Sequence, residues 1–153
     1  MRDARAWLES VRRAVAGIEP AVRELSALED ARDETLPWKA RGAAAGHGQG
    51  THGDPTAEQA ERRMSELGEL IAKAQARLDG LQETVGVCLR MLDDMGRELG
   101  PNHVNVIELY YVNRAETWSE VAWELGLHRN TVRAIRDESY IWLESWLIVH
   151  EMC

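Results

Sequence analysis

The sequence predicts an all-α protein: a long helical coiled-coil hairpin followed by a compact C-terminal domain of three helices. Three observations carry this. Two stretches repeat apolar residues in alternating steps of four and three, a glycine-dense segment separates them, and Gly100-Pro101 closes the second stretch ahead of a tail rich in Trp and Tyr. No segment carries a persuasive strand pattern.

Residues 1–36 are expected to form an N-terminal helical arm. Its apolar positions Trp7, Val11, Ala14, Ile18, Ala21, Leu25 and Leu28 mark one helix face repeating every 3.5 residues. Pro20 lies inside this face, so a kink or break near Glu19 is expected. Residues 37–55 hold glycines at a density that resists helix and strand alike and predict a flexible linker. Residues 56–99 then form a long coiled-coil helix. Thr56 caps it, and Gln59 completes the capping box. Its seam runs from Ala60, Met64 and Leu67 through Leu92, Met95 and Leu99 without a missed step. Gly68, Gly80, Gly86 and Gly96 fall off the seam, each costing about 1 kcal/mol against Ala. The second helix is the longer, which leaves apolar seam without an intramolecular partner. A homodimer or higher homo-oligomer is therefore expected.

Composition narrows the function. The 153 residues carry a formal net charge of −8, with 44% hydrophobic and 6% aromatic residues and no Phe. That balance excludes general nucleic-acid coating, so any DNA contact must come from a local basic face. Cys88 and Cys153 form no motif, which fits a reduced, cytoplasmic chain. The N-terminal residues lack a signal core, and no run reaches the roughly 20 apolar residues of a membrane span. His47, His52 and Asp54 are too sparse a donor set for a metal site. No phosphate cradle, activated nucleophile or paired carboxylate stands out, so neither cofactor nor catalysis is expected.

Residues 100–153 hold the informative segment, Thr117 to Ile135. Thr117 and Glu120 form a capping box that starts a short helix, with Val121, Ala122 and Leu125 on one face. Gly126 stops it in a left-handed turn, Leu127 plugs the corner, and a new helix starts near Arg129. Val104 to Val112, through Val106, Ile107, Leu109 and Tyr110, supplies the third helix. A short helix, a glycine turn and a second helix at this spacing define a helix-turn-helix. At 100° per residue, Val132, Ile135, Ser139, Trp142 and Trp146 turn inward. Arg129, Asn130 and Arg133 point away, where Arg and Asn suit bidentate contacts with guanine and adenine edges. Arg114, Thr131 and Arg136 are better placed for phosphates.

These residues resemble region 4 of sigma-70-type factors, and more closely the phage and prophage regulators of the RinA/ArpU type. Val106 to Val112 looks like their Leu-x-Leu-Arg-Tyr helix, and Thr117 to Ile135 like their reading motif. The specific likeness covers the last third of the chain, and the rest agrees in architecture. His128 stands where the family often has Ser, and Ala134 where sigma factors often have a polar, base-contacting residue. Arg129, Asn130 and Arg133 are therefore the positions to which base contact carries over. The resemblance implies a sequence-specific regulator of double-stranded DNA, an activator of late or packaging genes, with RNA polymerase as a second protein it can touch. Two alternatives stay open: a small terminase-like DNA-packaging subunit using the same motif in a closed ring, and a helical adaptor that binds no DNA.

Overall fold

The computed structural model describes residues 3–44 and 55–150, and all regular structure among them is helical. Two long helices, α1 (Ala4–Ala44) and α2 (Pro55–Glu98), form a hairpin. After them come α3 (Pro101–Ile107), a π-helical turn over Glu108–Val112, α4 (Trp118–Leu125) and α5 (Arg129–Val149). The chain divides into two compact units. Residues 18–80 form one; the stretches up to residue 17 and from residue 81 form the other.

In the first unit, Ala21, Leu25, Leu67, Ala74 and Leu78 are buried, all from the expected seams. Glu24 and Arg77 meet at 3.1 Å as an exposed ion pair. Pro20 does not interrupt α1. Proline removes the bond to the carbonyl four residues back, but here Ala16 and Pro20 both lie on the exposed face, where water replaces the lost donor.

Two boundaries differ from expectation. The first helix runs on past residue 36 to Ala44, through Pro37, and the Ala-rich run before the glycines is a strong helix former. At 41 residues it nearly matches the 44 of α2, so unequal helix length no longer argues for an unpaired seam. The second helix opens at Pro55, which places Thr56 inside the first turn rather than at its cap. The Thr56 side chain, the core of the expected linker with His47, His52 and Asp54, and Cys153 lie outside the described residues.

The larger core of the second unit joins α1, α2, α3, the π turn and α5. Ala4, Leu8 and Val11 of α1, and Cys88, Met91, Leu92 and Met95 of α2, enclose Ile107, Tyr111, Leu143, Trp146 and Leu147. The C-terminal helices therefore do not form a separate domain starting at residue 100. They share their interior with the N-terminal end of α1 and the C-terminal end of α2. Gly96 has a packing role here, since a Cβ at that position would stand 3.3 Å from Val104 Cγ2. Two indoles fasten α5 to α2: Trp142 Nε1 donates to Glu98 at 2.5 Å, and Trp146 Nε1 donates to Asp94 at 2.9 Å. The Trp146 donor, with Arg97 beside it, holds the Asp94 carboxyl below the usual carboxylate range.

A second cluster of Val106, Ala115, Val121, Ala122 and Val132 fills the space between α3, α4 and α5. Leu125, Leu127 and Ile135 pack against it, so Leu127 closes the corner as its position predicts. The expected third helix, Val104 to Val112, is split. Asn113 N–H reaches back five residues to the Glu108 carbonyl at 2.9 Å, the signature of a π turn. Side chains from this stretch serve both clusters, Val106 in one and Ile107 and Tyr111 in the other.

Two outcomes follow from this packing. Gly126 has φ 67° and ψ 30°, and a Cβ there would meet nothing within 4 Å. Gly126→Ala should thus cost only the left-handed conformational penalty, about 1 kcal/mol, measurable by urea denaturation. Alkaline pH should destabilise the fold. Burial, reinforced by Glu108, pushes the Cys88 thiol from 9.0 up to about 12, and burial also raises the Tyr111 and Tyr140 hydroxyls. Between about pH 9 and pH 12 the unfolded chain releases protons that the folded chain retains. Unfolding free energy should then fall with rising pH by up to about 1.4 kcal/mol per pH unit for each such group. Denaturation midpoints measured at stepped pH check the sign.

Candidate nucleic-acid interface

Thr117 starts α4: its backbone is extended, and its hydroxyl accepts the Glu120 N–H at 3.1 Å. The expected box is modified. Glu120 accepts from the N–H of Glu116 at 3.0 Å, one residue before the cap. Gly126 ends α4 in the left-handed region, and the next N–H, of Leu127, returns to the Ala122 carbonyl at 2.9 Å. His128 then caps α5, its Nδ1 accepting the Asn130 N–H at 3.1 Å. The helix is thus capped by an imidazole nitrogen in place of the more usual hydroxyl or carboxylate.

Val132 and Ser139 are buried, and Ile135 is half-buried on the inner face of α5. The Ser139 hydroxyl is turned back onto the Ile135 carbonyl at 2.8 Å, so no polar group of that side chain is left unsatisfied. Arg129, Asn130, Thr131, Arg133 and Ala134 are all exposed. Among the described residues, no acidic side chain pairs with Arg129 or Arg133. The structure thus brings the three residues expected at base edges onto one open face in the first two turns of a helix.

The residues expected at phosphates are placed unequally. Arg114 is exposed and carries a positive φ of 59°, rare for a residue with a side chain. Thr131 is also exposed. Arg136 is not free. Its side chain is 24% exposed, its Nε donates to Asp137 at 3.0 Å, and its guanidinium lies 5.3 Å from the Trp118 ring centre and 6.0 Å from that of Tyr140. The flat aromatic faces attract the cation inward.

Trp118 belongs to a longer pile. It stacks on Tyr110 with centroids 4.0 Å apart and planes within 9°, and the Arg12 guanidinium caps the far face of the pair, 4.4 Å from the Tyr110 ring centre. Arg12 also donates to the Tyr110 carbonyl at 2.5 Å and the Ala115 carbonyl at 2.9 Å. Two aromatic rings between two guanidiniums therefore connect α1, the π turn, α4 and α5. Local pattern does not single out Arg12, whose partners lie some hundred residues away. The available signal is the pair of aromatics suited to packing, Tyr110 and Trp118, both half-buried in the structure.

No family model, no curated protein and no solved structure matches the chain. Among the described residues no helix is long and apolar enough to cross a membrane, and no cluster of three or more His, Cys, Asp or Glu is arranged to hold a metal ion.

Because Arg136 is drawn onto Trp118, its removal should act on stability. Arg136→Ala is expected to cost about 1 kcal/mol through the lost ring contact. It should leave the salt dependence of any DNA binding unchanged. Thermal denaturation paired with a salt titration separates that role from a phosphate contact.

Proposed function

We propose that the protein is a sequence-specific binder of double-stranded DNA, a transcriptional regulator that reads the major groove with the first two turns of α5. The observation that carries this reading is the open face formed by Arg129, Asn130 and Arg133, directly opposite the buried Val132 and Ser139. Guanidinium and carboxamide groups offer the planar, paired hydrogen bonding that guanine and adenine edges present in the groove. The helix before it, α4, is short and held by its own glycine turn, so it can cross the backbone while α5 enters.

The roles divide by reach. Arg133, nearest the middle of the exposed face, meets a base edge. Arg129 and Asn130 flank it one turn earlier, and Thr131 stands at the side where a hydroxyl can meet a phosphate. Resemblance to the phage regulators described above adds activation of late genes and contact with RNA polymerase as further parts of the same proposal.

Selection of bound duplexes from a random pool tests the reading directly. An enriched motif is expected for the wild-type chain. Arg133→Ala should then lose about 1–3 kcal/mol of discrimination at one base position. A chain that enriches nothing at low salt would be a protein-binding adaptor, and the regulator reading would fall. Identical motifs from wild type and Arg133→Ala would move the reading face elsewhere.

A further inference from the structure

Beside the stacked aromatics lies an open cleft between α1 and the turn that precedes α4. Arg12, Arg13, Asn113 and Arg114 line it, together with Glu9, Ala16 and Glu116. The chain as a whole is acidic, so three guanidiniums around one cleft run against its background. Glu9 and Glu116 offset part of that charge, but neither forms an ion pair with these arginines among the described residues. Glu9 pairs instead with Arg5 at 3.9 Å. Arg12 spends its hydrogen bonds on two neutral carbonyls, so its charge has no carboxylate partner among the described residues. Arg13 and Arg114 are exposed and make no ion pair among the described residues.

The position of the cleft is as telling as its charge. From Arg12 the pile of Tyr110, Trp118 and Arg136 leads to α5 in three steps, none longer than 5.3 Å, and Arg136 is one turn from Arg133. A basic cleft is thus rigidly tied to the flank of the reading helix. The left-handed backbone at Arg114 sets the direction of that side chain in a strained conformation.

We propose that this cleft is a second anion site, which takes a backbone phosphodiester of the same duplex that α5 reads. Arg13 and Arg114 meet the phosphate, and Arg12 is the fixed positive wall behind them. The assignment rests on the DNA-binding reading above and extends the contact surface from the C-terminal helices to α1.

The test is equilibrium binding of the full chain to its selected duplex across a range of salt, roughly 50 to 200 mM. Arg13→Ala and Arg114→Gly should each flatten the slope of log affinity against log salt by about 0.9. Each should weaken selected and unrelated duplexes by the same factor and leave base preference unchanged. Arg13→Lys should restore the slope, because a phosphate needs the charge more than the fork. Arg114→Gly relaxes the left-handed backbone as it removes the charge, so it decides the matter even if Arg13→Ala disturbs the helix. Unchanged slopes in both variants, with Arg133→Ala still relaxing one base, overturn the cleft and leave the reading helix standing. Unchanged slopes together with binding of a nucleoside triphosphate that either variant abolishes make it a site for a small phosphate ligand, which also overturns the proposal. If the wild-type chain binds no duplex at all, both readings fail together.

Discussion

The arrangement depends on one helix being held at two places. The first half of α5 packs through Val132 and Ile135 into the small cluster it shares with α3 and α4. Its second half buries Leu143, Trp146 and Leu147 against the ends of α1 and α2. Each such side chain contributes about 1.5–3 kcal/mol when fully removed from water. Twenty-one residues of unbroken helix, about 31 Å long, connect the two anchorages. The arginines at its start are consequently aimed by packing that lies several turns away. A loosened hairpin end would misdirect them without touching them.

The stacked pile adds a second constraint. A cation on each end of two parallel rings is favourable because each guanidinium meets the electron-rich face of the ring beside it. The π turn holds Tyr110, one ring of the pile. By widening the backbone over Glu108–Val112 it lets consecutive tyrosines serve different neighbours. Tyr111 enters the large core, where its hydroxyl meets that of Tyr140 at 2.5 Å, while Tyr110 turns toward Trp118. A regular helix would fix the angle between these two side chains at about 100° and leave less freedom to adjust either. Arg12 then donates to the Tyr110 carbonyl of the wide turn and to the Ala115 carbonyl in the loop beyond it.

Period and punctuation made much of this fold legible. The seam positions Val11, Ala14, Ala21 and Leu25, and Leu67, Ala74, Leu78, Cys88, Leu92 and Met95, are buried as their spacing predicts. Thr117, Gly126 and the inward set on α5 are equally local signals, readable because capping, left-handed turns and helical arithmetic need no distant partner. The residues that escape are those whose environment is made by a third layer. Leu8 and Met91 lie off a 3.5-residue seam, yet both are fully buried, because α5 covers a second face of the hairpin at that end. Leu143 and Leu147 escape for the same reason. Pro20 and Pro37 mislead in the opposite direction. Proline weakens a helix by a fixed local amount, and a long helix with neighbours on either side can absorb it.

The acidity of the chain sharpens the proposed role rather than opposing it. Affinity for duplex DNA without regard to sequence grows with the number of phosphates neutralised, and around α5 few cations are free to do so. Arg13, Arg114, Arg129 and Arg133 are exposed, while Arg136 is committed to Trp118 and Asp137, and Arg97 to Asp93 and Asp94. Glu120, Glu124, Asp137 and Glu138 stand exposed around α5, where, on the proposed reading, they would repel a duplex that approaches out of register. A protein built this way gains little from the backbone alone, so a larger share of its binding must come from base edges. The small number of well-aimed arginines and the rigid framework behind them are then two sides of one requirement. When few contacts carry the discrimination, each has to be held in place, and α5, fixed at both ends, provides that hold.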